Sequence, residues 1–326
     1  MGIRHRQMRP KDVRECVDIV AAHPIVGPRY GSAITDLRPV WLRLLGREAF
    51  IPVVFEELCG PDVRILGAGV TAFVADDFMR ELKTPPLFWI GPELARRVVR
   101  GDCPLLSDKE VRVANSCAGL NLIVWQIGIL PEDLKRPDVT SAAMTAFIRL
   151  HGGFLLKEVI VQPETMEHLH GLRNAGGLLL NPADGSYGEF HVSEAHDFLT
   201  APCNIGGTRE RVLGQLVSWA FPLFVYQPPR CGFSRSEQRL LFSALDGGTD
   251  EELAKTLQVS VSAVKKMWHS IYERVGACVP ELLPNSVNHV ESGERGKEKK
   301  HRLLAYLREH PEELRPVARR LLKQMG

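Results

Sequence analysis

No run in this 326-residue chain is apolar for long enough to cross a bilayer. The most apolar stretches, Leu120 to Leu130 and Val212 to Tyr226, are interrupted by Gln126, Gln215 and Pro222, so they read as buried strands or helices and no membrane partner is expected. The basic opening, Arg4 to Arg9, is followed by no apolar core, which excludes a signal peptide at this point of the chain. Internal repeats and low-complexity tracts are missing too. The seven cysteines (Cys16, Cys59, Cys103, Cys117, Cys203, Cys231, Cys278) are odd in number and never form a CxxC pair. That pattern predicts free thiols and a cytoplasmic setting. Tyrosine is absent between Gly31 and Ser186.

What is present is the balance of a soluble globular protein, 44% apolar and 25% charged, with length enough for two cores. Net charge is only +2, unevenly spread. Residues 230 to 326 hold 17 Lys and Arg against 13 Asp and Glu, and the preceding residues hold 24 against 26.

The segment from Phe233 to Gly276 carries the densest local signals. Ser234 with Glu237 and Thr249 with Glu252 each form an S/T-x-x-E capping box, and Ser260 caps a third start. Leu240, Leu241, Ala244 and Leu245 stripe the first predicted helix, Leu253, Ala254 and Leu257 the second, and Val264, Trp268, Ile271 and Val275 the third. This pattern resembles the LuxR/NarL-type helix-turn-helix, whose G-x-[ST]-x-x-E-I-A and S-x-x-T-V-K-x-H runs correspond to Gly247 to Ala254 and Ser260 to Met267. Ser236, Ala263 and Met267 depart from that pattern.

The resemblance implies an all-α C-terminal domain over residues 230–279, built on Glu237, Leu253, Ala254, Val264, Trp268 and Ile271. It implies double-stranded DNA as partner, contacted by Ser262, Lys265, Lys266, His269 and Thr249, with the protein acting as a homodimeric transcription regulator. Residues 280–296 read as a linker. A basic amphipathic helix, Lys297 to Arg308, follows, and then a segment with Val317, Leu321 and Leu322; these apolar faces are expected in the dimer or folded back on the domain.

Residues 1–165 alternate strand and helix patterns. Strands are predicted at Ile3 to Met8, Phe50 to Glu56, Ile65 to Val74, Leu120 to Ile129 and Phe154 to Val161. Helices are predicted from Val13, at Ile34 to Leu45, at Gly91 to Val99 and at Ser141 to Leu150. The order resembles the GNAT acyltransferase fold, notably in the opening strand-R-P-x-D-V-helix. That resemblance implies an α/β domain with a cleft between splayed strands, walled by residues such as Leu122, Val124 and Trp125. The family's [QR]-x-x-G-x-[GA] phosphate loop is not found, and the tyrosine gap removes its late-helix general acid. The expectation is therefore a domain that binds an effector, small molecule or protein, with no catalytic residue and no cofactor; an acyl-CoA-dependent N-acyltransferase is the alternative. Glu56 and Glu57 are candidate bases, more simply read as solvated acids. His168, His170, His191, His196 and Cys203 have no metal-specific spacing, and no metal is expected. Residues 166–229 read either as sheet completion or as a connector, with a hairpin turning at Asp184-Gly185, a helix over Val212 to Ala220 and a strand over Phe224 to Gln227.

Overall fold

The computed structural model describes residues 2–60, 62–133, 135–181, 183–214, 218, 220–245, 247–283 and 292–318, with side chains from 298 onward in the last span. The chain divides into two compact units, Met1–His151 with Leu155–Val225, and Gly152–Phe154 with Tyr226–Gly326.

The first unit is built on one mixed sheet. Its strands are β1 (Gly2–Gln7), β2 (Phe50–Cys59), β3 (Asp62–Val74), β4 (Leu120–Ile129), β5 (Leu156–Val161), β6 (Leu178–Leu180), β7 (Tyr187–Gly188) and β8 (Ile205–Thr208), in the spatial order 1-2-3-4-5-8-6-7. The pairs from β1 to β4 are antiparallel, β4 and β5 are parallel, and the β5–β8, β8–β6 and β6–β7 pairs are again antiparallel. The α/β sheet expected from the sequence is present, and residues 178–208 contribute three of its strands. No strand forms at Phe224 to Gln227; a short helix ends at Phe224 instead.

Helices α1 (Val13–Ala22), α2 (Val26–Tyr30), α3 (Ile34–Leu44), α4 (Asp76–Leu82), α5 (Ile90–Arg100) and α6 (Asp108–Ser116) precede β4 or its partners. They are followed by α7 (Pro137–His151), α8 (Met166–Asn174), α9 (Arg209–Leu213) and α10 (Phe221–Phe224). β4 is buried along nearly its whole length, because helices cover both faces, and such a strand has no polar side to alternate. On one face α7 packs Val139 and Ala146 against Val53, Phe55, Leu66 and Ile129. On the other, Gly128 gives room to Val20 of α1. The opening motif is tied down by charge: Arg6 donates to Glu56 of β2 at 2.7 Å and to Asp12, ahead of α1, at 2.6 Å. Glu56 also takes Arg4, while Glu57 takes Arg136 at 2.7 Å. Both acids are buried in ion pairs, so neither is the solvated acid the sequence suggested.

The second unit contains α11 (Arg235–Leu245), α12 (Asp250–Leu257), α13 (Val261–Cys278) and α14 (Ser292–Glu309). Both expected capping boxes close: Thr249 N–H donates to Glu252 at 2.7 Å and Ser234 N–H to Glu237 at 2.6 Å. Leu240, Leu253, Ala254, Val264, Trp268 and Ile271 form the core, joined by Leu303, Leu307 and Leu314. Leu303 and Leu307 of α14, expected in a dimer or folded back on the domain, are folded back into the core of their own unit. Leu321, Leu322 and residues 284–291 of the predicted linker lie outside the described residues, and α14 begins at Ser292, inside the span read as linker. Cys231 and Cys278 form a disulfide, which corrects the expectation of seven free thiols. The last turn of α13 returns beside the segment entering α11 and brings the two Cα atoms to 5.4 Å, a reach that spacing in sequence does not reveal.

Candidate functional site

The site of the first unit arises where two parallel strands part. β4 and β5 pair from Leu120↔Leu156 to Ile123↔Ile160; beyond Ile123, β4 runs on to Ile129 while β5 ends at Val161. A bulge falls at the same point, since Thr71 of β3 pairs with Val124 and its neighbour Val70 with Gln126, leaving Trp125 unpaired. An extra residue in a strand re-aims the side chains around it. The gap is a cavity of about 30 Å3 lined by Arg29 and Tyr30 of α2, Trp89, Val124 to Ile127, Gln162, Glu164 and His168.

Glu164 is the chemical centre of this cavity. Its carboxylate lies 3.4 Å from His23 Nε2 and 3.5 Å from the donating Gln126 Nε2. Gln126 in turn donates to the Ile127 carbonyl at 2.8 Å and accepts from the Tyr30 hydroxyl at 3.3 Å. Tyr30 fits because residue 91 is glycine: a Cβ there would overlap its hydroxyl. The tautomer of His23 follows from its neighbours. Its Nδ1 accepts the backbone N–H groups of Val26 at 3.2 Å and Ile25 at 3.3 Å, so the ring proton sits on Nε2 and faces Glu164.

Burial sets the protonation states. It pushes the Glu164 carboxyl up to about 7, against the opposing pull of Arg29 and Gln126. It pushes His168 down to about 4 and lowers His23, with Arg29 adding to both. Near neutral pH the two imidazoles are uncharged, and Glu164 is the group poised to exchange a proton. Arg29 stacks 3.8 Å over Trp89 and donates to the Phe198 carbonyl from Nε at 2.9 Å and also from Nη2.

A second cavity, of about 120 Å3, shares Val124, Ile127, Val161 and His168 with the first. Its remaining walls are apolar, chiefly Met144 and Phe147 of α7, Ile205 of β8, and Leu223 and Phe224 of α10. At the α7 N-terminus, where a GNAT-type phosphate loop would lie, carboxylates gather. Arg136 donates to Asp133 at 2.9 Å and to Asp138 at 2.7 Å, and Arg64 to Glu132 at 2.9 Å. Both arginines are already engaged, and these residues do not fit a diphosphate.

Neither a protein-family model nor a curated protein matches the chain. Solved structures do. An acetyltransferase from Corynebacterium glutamicum ATCC 13032, grouped with histone acetyltransferase HPA2, is 11% identical with a TM-score of 0.36, over 63% of this chain and 96% of its own. Aminoglycoside acetyltransferase AAC(6')-Ib with coenzyme A and kanamycin is 11% identical with a TM-score of 0.33, over 66% and 100%. A spermidine N-acetyltransferase chimera from Vibrio cholerae is 11% identical with a TM-score of 0.32, over 66% and 100%. Scores of this size carry no argument about chemistry.

These matches are to acetyltransferases and not, as the sequence led one to expect, to LuxR-type DNA-binding transcription regulators. The residues expected to contact DNA from the third helix lie on α13. Ser262, Lys265, Lys266 and His269 are exposed there, but His269 lies 3.3 Å from Glu273, and α12 opens beside it on Asp250, Glu251 and Glu252. Thr249 is engaged as the α12 cap, accepting from the Glu252 N–H at 3.3 Å. Trp268 is half of a structural bridge, donating to Asp250 at 3.2 Å beneath the Lys300 ammonium. Periodicity and capping fix such a helical trio without fixing what its outer face meets.

Of the cleft residues expected from the sequence, Val124 and Trp125 line the first cavity, whereas Leu122 is plain core. His168 reaches the site and His170 instead approaches Glu194 at 3.9 Å; no group of three or more metal-ligating side chains gathers among the described residues. Sequence reading missed His23, Arg29, Tyr30 and Glu164. The one available signal was Tyr30, just ahead of the interval that lacks tyrosine.

Proposed function

We propose that the first unit transfers an acyl group from a thioester to an amine, with Glu164 as general base. The observation that carries this reading is a carboxyl group titrating near neutrality, held by His23 and Gln126, at the point where β4 loses its strand partner. An extended arm with amide groups, such as pantetheine, can lie along a strand edge of this kind. The amine nitrogen attacks the thioester carbon, the C–S bond breaks, Glu164 takes the ammonium proton, and the thiolate is protonated on release. Val124 and Val161 exclude water from the reacting carbon. The acidic α7 N-terminus argues that the thioester arm, rather than a diphosphate, supplies the donor's affinity.

The test is thiol release from acetyl-CoA and longer acyl-CoA thioesters over a panel of amines, run beside calorimetry for the same thioesters. Turnover that Glu164→Gln abolishes supports the proposal. Neither binding nor turnover with any thioester would overturn it.

A further inference from the structure

The second cavity of the first unit measures about 120 Å3, against about 30 Å3 for the one at Glu164. Among the described residues that line it, His168 is the one polar side chain, and burial holds that imidazole uncharged near neutral pH. The apolar side chains are chiefly Met144 and Phe147 of α7, Ile205 of β8, Val212 of α9, and Leu223 and Phe224 of α10. Glycines at 176, 177, 206 and 207 leave part of the wall bare. At Gly206 a Cβ would overlap the Val159 carbonyl oxygen, so pairing with β5 keeps that part of the wall open. Interiors hold few voids larger than a water molecule, and one of this size weakens a core. A charged occupant finds no partner on these walls, whereas an apolar one is drawn in by the area it removes from water.

Val124, Ile127, Val161 and His168 line both cavities, so a carbonyl carbon at this shared wall has Glu164 on one side and the apolar space on the other. The capacity of that space sets a chain length. A cavity of roughly 150 Å3 holds a six-carbon ring, about 25 Å3 per carbon, so 120 Å3 takes about five carbons. Pantetheine is too long and, with its two amides, too polar to fill it. We infer that the acyl group of the donor is an aliphatic chain of about six carbons, such as hexanoyl, its tail seated among Met144, Phe147, Ile205, Leu223 and Phe224. This rests on the acyl-transfer reading for the word donor, and on the cavity alone for the chain.

The experiment is calorimetry on the full chain at pH 8, without amine, using CoA and its acetyl, butyryl, hexanoyl and decanoyl thioesters. Affinity should rise about threefold to fourfold per methylene up to hexanoyl and level off or fall at decanoyl. Ala143→Leu adds three carbons at the cavity wall and should move that break down to about propionyl, while Met144→Ala should move it out beyond hexanoyl. Should either variant fail to fold, the wild-type series still decides. Equal affinity across the series, no binding of hexanoyl-CoA, or a rise unbroken to decanoyl overturns the inference. If hexanoyl-CoA binds with this break and no amine is acylated, the transfer reading falls and the chain site stands. If all the thioesters bind alike and are turned over, the transfer reading stands and the chain site falls.

Discussion

His23 turns its Nε2–H toward Glu164 at 3.4 Å because two backbone N–H groups, those of Ile25 and Val26, occupy its Nδ1. A protonated ring would direct a second N–H at those donors, so the neutral form is enforced by the turn between α1 and α2. The carboxylate thereby receives a fixed donor that does not cancel its charge, and it keeps a pKa near 7.

The first prediction follows for the base itself. With Glu164 titrating near 7, kcat/KM should rise with pH through about 7 and level off above it. Glu164→Gln should remove the rising limb and lower kcat by about 10²–10⁴-fold. A pH profile of thiol release checks both.

His23 acts on the base as a positioning residue. His23→Phe removes the donor that favours the charged carboxylate, so the midpoint of the same pH profile should move upward. An unchanged midpoint would remove the assigned role.

Stability should follow the same carboxyl group with the opposite sign from activity. Its folded pKa of about 7 lies above the ordinary 4.5, so its favourable contribution is full below 4.5 and is lost as pH rises through 7. Glu164→Gln should accordingly match or exceed the wild type in urea at pH 8, by on the order of 1–3 kcal/mol, and lose that advantage at pH 4.

Gly91→Ala tests the packing behind the site. The new methyl would overlap the Tyr30 hydroxyl, and Tyr30 is fully buried with no room to retreat. A destabilisation of about 1–3 kcal/mol is expected in denaturant unfolding, with loss of turnover as Gln126 loses its Tyr30 partner.

In the second unit, Cys278→Ser opens a link across a sequence separation of 47. Its melting transition should lose about 2–4 kcal/mol, and dithiothreitol should produce the same shift in the wild type but none in the variant.

Local order was the part written along the chain. The capping pairs Ser234–Glu237 and Thr249–Glu252 and the apolar face of Val264, Trp268 and Ile271 are set by neighbours within four residues, where helix geometry makes spacing and contact equivalent. Tertiary structure alone decided the site. His23, Tyr30, Gln126 and Glu164 are separated by up to 141 positions and meet because β4 and β5 part after Ile123, a geometric event with no local signature in either strand. The same holds for protonation. A glutamate in a sequence is an ordinary acid, and only the burial of Glu164 beside an imidazole held neutral makes it a base for neutral pH.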